Sequence, residues 1–197
     1  MKNILIINGH QHYPQVAEGN LTKAYVEAAT EFLTQKGFTV QVTNVEKDGY
    51  TPEGEVEKYK WADAFIIQYP VYWMGMPWIM KKYVDEVFNA GNNNGLWIND
   101  GRTRSDTSKK YGSGGLMQGK KHMLSLTYNC PASEFSNNEG FFDGLSLDEA
   151  NISTHKIWEF CGSERLSTYS VHDIFKGDMD LAQELENFKA RLSQNFL

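Results

Sequence analysis

Short apolar runs separated by helical patterns constrain the fold of this chain more than any other feature of its sequence. Residues 3–8 form an almost entirely apolar run of isoleucine and leucine, which is typical of a strand covered on both faces. Comparable runs recur at residues 38–45, 64–69, 122–127 and 165–172. Because helical patterns lie between these runs, the sequence predicts an α/β fold in which a five-stranded parallel sheet carries helices on both faces.

The helical patterns have recognisable ends. Apolar Leu21, Tyr25, Ala28 and Phe32 recur at helical spacing, so the chain from Asn20 onward is predicted to form an amphipathic helix with Asn20 as its N-cap. Further helices are predicted over residues 77–89, 146–161 and 178–196, and a short one is predicted within the polar segment 51–61. Neither a repeat nor a linker interrupts the alternation, and we therefore predict a single domain over residues 1–197.

Composition narrows the class of function. Nineteen basic against 25 acidic side chains give a net charge of -6, which disfavours a protein that binds nucleic acid. The apolar run at residues 4–7 is far shorter than the ~18 residues that a membrane span needs, and no signal-peptide pattern opens the sequence. Cys130 and Cys161 alone cannot form a disulfide framework. We therefore expect a cytoplasmic protein that does not bind a membrane.

The predicted topology indicates where a ligand binds. In open parallel sheets the ligand lies at the carboxyl ends of the strands, near the point where the strand order reverses. The loops at residues 9–20, 70–76 and 128–145 follow three of the predicted strands, so we expect them to be neighbours at one edge of the sheet.

The loop at residues 9–20 leads into the first predicted helix. Free N–H groups at a helix N-terminus bind phosphate readily, but the loop lacks the Gly-x-Gly-x-x-Gly spacing of dinucleotide-binding turns. Taken alone, the segment is equally well interpreted as an ordinary connecting loop. His10 and His12 have no third ligand beside them, and we predict no metal site.

The loop that follows the third strand carries aromatic residues that no helical period explains. Residues 68–78 read Gln-Tyr-Pro-Val-Tyr-Trp-Met-Gly-Met-Pro-Trp, interrupted by proline and glycine. An isoalloxazine ring needs apolar or aromatic walls together with backbone donors, and such a turn supplies both. Residues 127–130, Thr-Tyr-Asn-Cys, add a hydroxyl, an aromatic face and an amide at the end of the fourth strand. The three loops together favour a flavin, and the alternative interpretation of the aromatic residues is core packing.

Two other catalytic motifs fail on their position. Residues 114–121 approach a P-loop, but Lys121 stands where magnesium requires Ser or Thr, and the segment precedes a strand instead of following one. The tripeptide at residues 112–114 is too short and misplaced for the Gly-x-Ser-x-Gly elbow of a hydrolase. Cys130 follows a strand, as a nucleophile could, although a packed cysteine is the more common case.

At this level of detail the chain resembles a known family. Residues 69–83, 100–104, 108–115 and 124–129 are similar to the flavodoxin-like NADPH:quinone oxidoreductases of the modulator-of-drug-activity-B type, and the likeness extends over nearly the whole chain. The resemblance implies a flavodoxin-like fold and a homodimer that binds FAD without a covalent bond. It also implies that NADPH reduces the flavin, which a quinone then reoxidises.

The resemblance also implies roles for individual residues. Tyr111 and Tyr128 are the candidate catalytic residues, because a hydroxyl in a dry site can orient an acceptor or donate to its developing negative charge. Ala17 departs from the family, which usually has Ser in its phosphate loop. Cys130 stands where a small Ala is common. The implied cofactor-binding residues are His10, Gly19, Asn20, Leu21, Pro70, Val71, Tyr72, Trp73, Thr127, Tyr128, Asn129 and Cys130.

The segment at residues 90–119 is longer than a simple connection needs and is predicted to build a two-fold dimer interface. Its Leu96, Trp97, Ile98 and Tyr111 require burial, which a second copy of the chain could provide, with Tyr111 at the neighbouring flavin. The alternatives are an azo- or nitroreductase of the same fold, a regulatory subunit, and a flavodoxin-like electron carrier. The long loops argue against the carrier, because a bare five-stranded fold does not need them.

Overall fold

The computed structural model describes all 197 residues and contains one parallel sheet. The central order of the strands is β2-β1-β3-β4, and two short strands, β5 and β6, both pair with the outer side of β4. Every pairing is parallel, which confirms the predicted α/β fold. The strands are β1 (Asn3–Asn8), β2 (Thr39–Asn44), β3 (Ala64–Pro70), β4 (Lys121–Thr127), β5 (Glu164–Arg165) and β6 (Tyr169–Val171).

Helices cover both faces of the sheet, as predicted. On one face α1 and α6 pack over Ile4 and Ile6 of β1, and on the other face α2, α3 and α5 pack over Leu5 and Ile7. Since all four of these β1 side chains are fully buried, β1 forms the centre of two separate cores. The helices are α1 (Asn20–Gln35), α2 (Pro52–Trp61), α3 (Trp78–Ala90), α4 (Leu147–Ala150), α5 (Ile152–Phe160) and α6 (Leu181–Phe196), with a 3-10 turn at Ala132–Glu134.

The predicted fifth strand, residues 165–172, is divided into β5 and β6 by a bulge. Arg165 pairs with His122 and Tyr169 pairs with Ser125, so four steps along the edge strand match three along β4. The one extra residue interrupts the ladder at residues 166–168. Periodicity of apolar residues does not report such an insertion, and the sequence therefore predicted one continuous strand.

The predicted helix over residues 146–161 is likewise divided, at Asn151. The Asn151 side chain donates to the Leu147 carbonyl oxygen at 2.8 Å and to the Tyr128 hydroxyl at 2.8 Å. Asn151 is buried and has non-helical dihedral angles, φ -107° and ψ 17°. A contact with a residue distant in sequence therefore ends α4 and restarts the chain as α5, and the sequence pattern could not show this.

A chain of hydrogen-bonding groups crosses the lower end of β4, far from its carboxyl end. His122 Nδ1 lies 3.1 Å from Ser163 Oγ, and His122 Nε2 lies 3.1 Å from His155 Nδ1. His155 Nε2 in turn lies 3.3 Å from Asp148 Oδ1. Burial lowers the pKa of His122 to about 3, so the ring is neutral at pH 7. These hydrogen bonds hold β4 against α4, α5 and the turn after α5.

The order of the strands fixes the position of a crevice. From β1 the chain passes through α1 to β2 on one side, and it returns through α2 to β3 on the other side. The loops that leave β1 and β3 therefore diverge to opposite faces, and this opens the carboxyl edge of the sheet between them. None of the helices is both long and apolar enough to cross a lipid bilayer.

Candidate functional site

A cavity of about 360 Å³ lies at the carboxyl ends of β1, β3 and β4, within the size range of cofactor sites. The first-strand loop and the loops after β3 and β4 form its walls, as the topology predicted. The loop that follows β6 forms a fourth wall. The lining residues are His10, Val16, Ala17, Glu18, Gly19, Asn20, Leu21, Thr22, Pro70, Val71, Tyr72, Thr127, Asn129, Ile174, Phe175 and Met179.

The N-terminus of α1 opens into this cavity without a side-chain cap. The N-cap is Gly19, in the left-handed region at φ 85°, and no side chain accepts a hydrogen bond from the first turn. The prediction of Asn20 as the N-cap is therefore wrong by one residue. The N–H groups of the first turn have no intrahelical partner, so they are free to bind an anionic group in the cavity.

His10 is buried beside Gly19 and has one ring nitrogen without a partner. His10 Nε2 lies 3.2 Å from the Ala17 carbonyl oxygen, which only accepts, so Nε2 is the donor and the buried Nδ1 is a free acceptor. Burial lowers the pKa of His10, and the neutral ring is favoured. A Cβ on Gly19 would stand 2.8 Å from the His10 ring. Only glycine permits this close approach, and the free Nδ1 is suited to a ligand donor.

Pro70, Val71 and Tyr72 form the aromatic wall of the cavity, and Tyr72 connects this wall to the loop at residues 9–20. Its hydroxyl donates to the Gln11 carbonyl oxygen at 3.0 Å, and its ring lies 5.6 Å from that of Tyr13. Burial raises the pKa of Tyr72 to about 12, so the hydroxyl remains a donor at pH 7. Pro70 and Val71 continue the same wall toward the sheet. The wall is therefore held from both sides of the crevice.

Trp73 and Met74 form the tip of a tight hairpin between Tyr72 and Gly75. The Tyr72 and Gly75 backbones exchange hydrogen bonds at 2.9 and 3.1 Å. Both tip residues are in the left-handed region, with φ 48° and 64°, where hairpin turns normally place Asn and Gly. Trp73 is 97% exposed, so core packing does not explain it. It also does not line the cavity of its own chain.

The end of β4 and the loop after it contribute Thr127 and Asn129 to the cavity. The other two candidates of this segment, Tyr128 and Cys130, do not line the cavity. The ring of Tyr128 is buried, stacked 5.4 Å from His172, and its hydroxyl is bound to Asn151. Cys130 lies outside the cavity lining, and its carbonyl oxygen lies 3.0 Å from His172 Nδ1. Within one chain, Tyr128 therefore supports the loop from behind.

Tyr111 lies outside the cavity, over a groove between α3 and α5. Its ring is 5.6 Å from Phe160, and the Arg102 guanidinium lies 5.3 Å above it. Leu96 is fully buried in its own chain, and Trp97 donates to the Phe88 carbonyl oxygen at 2.7 Å. The expectation that Leu96 needs a second copy for burial is therefore wrong. Trp97 is half-buried and Ile98 is exposed, so their burial by a second copy stays a prediction.

Sequence reasoning missed the fourth wall of the cavity. Ile174, Phe175 and Met179 line it together with Val16, and all four side chains are apolar. Residues 174–179 follow the last strand of the sheet, so the rule that selected the other three loops would have selected this one too. The composition of this segment is that of an ordinary loop, and only its position after the last strand could have indicated that it lines the site.

The fold and the crevice define a flavodoxin-like protein. The family model described as "Flavodoxin-like fold" matches residues 2–196, and the chain belongs to this family. NADPH:quinone oxidoreductase MdaB of Haemophilus influenzae is 40% identical over 194 residues, which cover 98% of this chain and 99% of that protein. This relative confirms the family resemblance and the predicted class of enzyme.

Solved structures share the fold at lower identity. A proposed quinone reductase from Klebsiella pneumoniae superposes with a TM-score of 0.76 at 24% identity, over 98% of this chain and 85% of that one. An FMN-dependent NADH-azoreductase from Bacillus anthracis, solved with FMN, has a TM-score of 0.67 at 15% identity, over 98% and 99% of the two chains. At these identities the likeness supports the fold alone.

The strained hairpin at residues 72–75 predicts that one double variant becomes more stable and binds flavin more weakly. Replacing the tip with the favoured residues, Trp73→Asn together with Met74→Gly, should raise the free energy of unfolding by about 2 kcal/mol, because two left-handed residues are relieved of strain. The family resemblance implies that Trp73 contacts the flavin, which it would do from outside the cavity lining, so the same double variant should also weaken flavin binding. Urea denaturation and flavin fluorescence titration measure the two effects.

Met74→Gly alone is the matched control for the hairpin. It should gain about half of the stability and keep the flavin affinity of the wild type, because Trp73 is retained. A double variant that is no more stable, or that binds flavin as tightly as the wild type, contradicts the interpretation.

Proposed function

We propose that this protein is a flavin-dependent NAD(P)H:quinone oxidoreductase that reduces quinones by two electrons. The observation that carries the proposal is the cavity, which joins an uncapped helix N-terminus to an aromatic wall at the strand ends. The name of the Haemophilus influenzae relative supports the choice of substrates. We further propose a single flavin-binding domain over residues 1–197 in the cytoplasm, where the free thiols of Cys130 and Cys161 stay reduced.

The residues of the cavity fit a flavin. The first turn of α1 offers N–H groups to a phosphate, and the free Nδ1 of His10 accepts from a hydroxyl or a ring N–H. Pro70, Val71 and Tyr72 supply an apolar wall with backbone groups at its edge. Thr127 and Asn129 close the opposite side. The proposed contacts of Asn20 and Leu21 follow from their place in the first helical turn.

The chemistry of the reaction does not require an acid–base pair from the chain. A flavin held by these residues would supply hydride transfer at N5, from the nicotinamide and then to the quinone, whose reduction is completed by a proton from water, with both substrates using one face in turn. The chain orients the ring between its aromatic and apolar walls and keeps water from it. Tyr72, whose raised pKa keeps the hydroxyl protonated, holds the wall in place through Gln11.

The charges of the cavity favour FAD over FMN. The lining contains no lysine or arginine, and its one carboxylate is Glu18. The terminal phosphate of FMN carries -1.5 to -2 charge at neutral pH, concentrated on one group. A pyrophosphate spreads similar charge over two groups, so the first turn of α1 accommodates it with less repulsion from Glu18.

The fourth wall offers a place for the adenine of FAD. Ile174, Phe175 and Met179 form an apolar shelf in the cavity, which the apolar Val16 and the first turn of α1 also line. Flat rings stack on such shelves, whereas FMN ends at its phosphate and would leave this surface bare. We therefore assign the shelf to adenine and FAD to the cavity.

The assignment of the shelf is tested with Phe175→Ala. Loss of one stacked ring should raise the dissociation constant of FAD about tenfold and leave that of FMN unchanged. Phe141→Ala is the matched control, because Phe141 is 65% exposed and Phe175 is 66% exposed, yet only Phe175 lines the cavity. Isothermal titration with both flavins measures the effect, and equal losses for FAD and FMN would count against the shelf.

A homodimer explains the exposed position of Tyr111. The ring lines the surface groove between α3 and α5, is tilted against Phe160 and is 64% exposed. We propose that a two-fold axis brings Tyr111 of one subunit to the flavin of the other, where its hydroxyl donates to a quinone oxygen. Tyr128, the other candidate, has a buried hydroxyl that pairs with Asn151, and we therefore propose that it supports the loop instead of donating to the quinone.

Tyr111→Phe tests the role of the hydroxyl while keeping the ring on Phe160. Quinone turnover should fall about 100-fold, because one donor to developing negative charge is removed from an organised site. FAD content, flavin reduction by NADPH and the sedimentation coefficient should match those of the wild type. Unchanged quinone kinetics would remove the catalytic role, and a monomer at micromolar concentration would remove the dimer.

Reduction without a partner protein distinguishes the proposed enzyme from an electron carrier. We expect the purified protein to be yellow, to release FAD on denaturation, and to lose its flavin absorbance within seconds of anaerobic NADPH addition. A quinone should then restore the absorbance. A protein that takes up neither FAD nor FMN contradicts the proposal, and a flavin that bleaches only with a partner reductase favours the carrier. Parallel assays with azo and nitro compounds, and with NADH, rank the alternative acceptors and donors.

A further inference from the structure

A row of polar side chains crosses the sheet directly beneath the cavity. Asn8, Gln68, Ser125 and Tyr169 are register neighbours on β1, β3, β4 and β6. Alternation along each strand places all four on the α1 side of the sheet, together with the cavity. Below the row, the buried positions on this side of β1, β3 and β4 are apolar, such as Ile66 and Met123, and the charged Lys121 stands at the far end where β4 begins. The polar row is therefore the upper boundary of this core.

Gln68 is the member of the row whose polar atoms have no partner. Its side chain is 1% exposed, and neither Oε1 nor Nε2 makes a hydrogen bond. By contrast, Asn8 accepts from the His10 backbone N–H at 3.1 Å, and Tyr169 donates to Glu184. An unpaired buried amide destabilises the folded chain, because the amide leaves water without gaining a replacement.

The nearest polar space lies one step up the strand. Pro70 and Thr127 are the next residues on the same face of β3 and β4, and both line the cavity. Two residues of a strand span about 7 Å, a distance that an extended glutamine side chain of about 5 Å covers together with a hydrogen bond of about 3 Å. A change of Gln68 rotamer therefore turns its amide toward the floor of the cavity.

The position of Gln68 in the sheet determines which part of a bound ligand lies above it. The first turn of α1 lies at one end of the cavity and the aromatic wall of Tyr72 lies at the other. Any chain that links a phosphate to a flat ring must cross the floor between these ends, above Gln68 and between β1 and β3. In a flavin this linking chain is a row of hydroxyl groups, which both donate and accept, as an amide does.

We propose that Gln68 binds the hydroxylated chain between the ring and the phosphate of the cofactor. The inference rests on the proposed function, since it takes the ligand to be a flavin. The Gln68 amide, which has no partner within the chain, turns to the cavity floor and pairs with a hydroxyl of the cofactor. Gln68 thus favours flavins that carry this chain over those that lack it.

The test compares riboflavin, which carries the hydroxylated chain, with lumiflavin, which has only a methyl group in its place. Full-length protein freed of bound flavin is titrated with each by fluorescence quenching, as wild type and as Gln68→Leu. The variant should bind riboflavin about tenfold more weakly and lumiflavin unchanged, because one hydrogen bond is lost with riboflavin only. Its melting temperature without flavin should rise by about 2–4 °C, because two unpaired polar atoms leave the core.

Two further variants keep the test decisive. Ile67→Val changes the packing of β3 on the opposite face, and it should lower the melting temperature without changing the ratio of the two affinities. Gln68→Met repeats the loss of the amide in a flexible side chain of similar length, should Leu prevent folding.

Each outcome supports or overturns the assignment. Selective loss of riboflavin binding together with a higher melting temperature supports it. Equal loss of both flavins, unchanged riboflavin affinity, or a lower melting temperature would overturn it, since Gln68 would then act in packing alone. Wild-type protein that takes up neither FAD nor FMN would overturn the proposed function as well, whereas a Gln68→Leu protein that binds riboflavin with the affinity of the wild type would overturn only this inference.

Discussion

The burial of β1 on both faces and along both edges governs the rest of this structure. A strand with no side toward water requires a neighbour at each edge and a helix layer on each face, and β2, β3, α1 and α2 meet these needs. Right-handed connections then send α1 and α2 to opposite faces, which separates the loops at the carboxyl end of β1 from those of β3. The crevice that holds the site is therefore a consequence of the same constraint that holds the sheet together.

Around this crevice the chain leaves hydrogen-bonding capacity unused and tolerates strain. The first turn of α1 lacks a side-chain cap, His10 Nδ1 and the Gln68 amide lack partners, and Trp73 has a left-handed backbone. At the opposite end of β4, both ring nitrogens of His122 and of His155 have partners, although Trp158 Nε1 beside them is buried without one. Several features that lower stability thus lie where a ligand would compensate for them, as expected when a site is organised before its ligand arrives.

The elements that depend on local pattern could be predicted from the sequence, and those that depend on distant contacts could not. Apolar runs located the long strands, and the rule about strand ends located three walls of the cavity. The division of the helix at Asn151 arises from its contact with Tyr128, which is 23 residues away. Trp97 finds its partner in the backbone of α3. The shelf at Phe175 was missed because the rule about strand ends was applied to three strands and not to the last one.

The bulge between β5 and β6 also affects how copies of the chain meet one another. A long flat outer strand is a template on which another chain can add a strand and begin to aggregate. Here the outer edge offers two residues, then an interruption, then three. The Ser167 carbonyl oxygen in the interruption is already bound by the side chain of Asn195 at 2.9 Å. At this edge an incoming strand finds no continuous ladder to extend, which protects the outer side of β4 from the addition of a further strand.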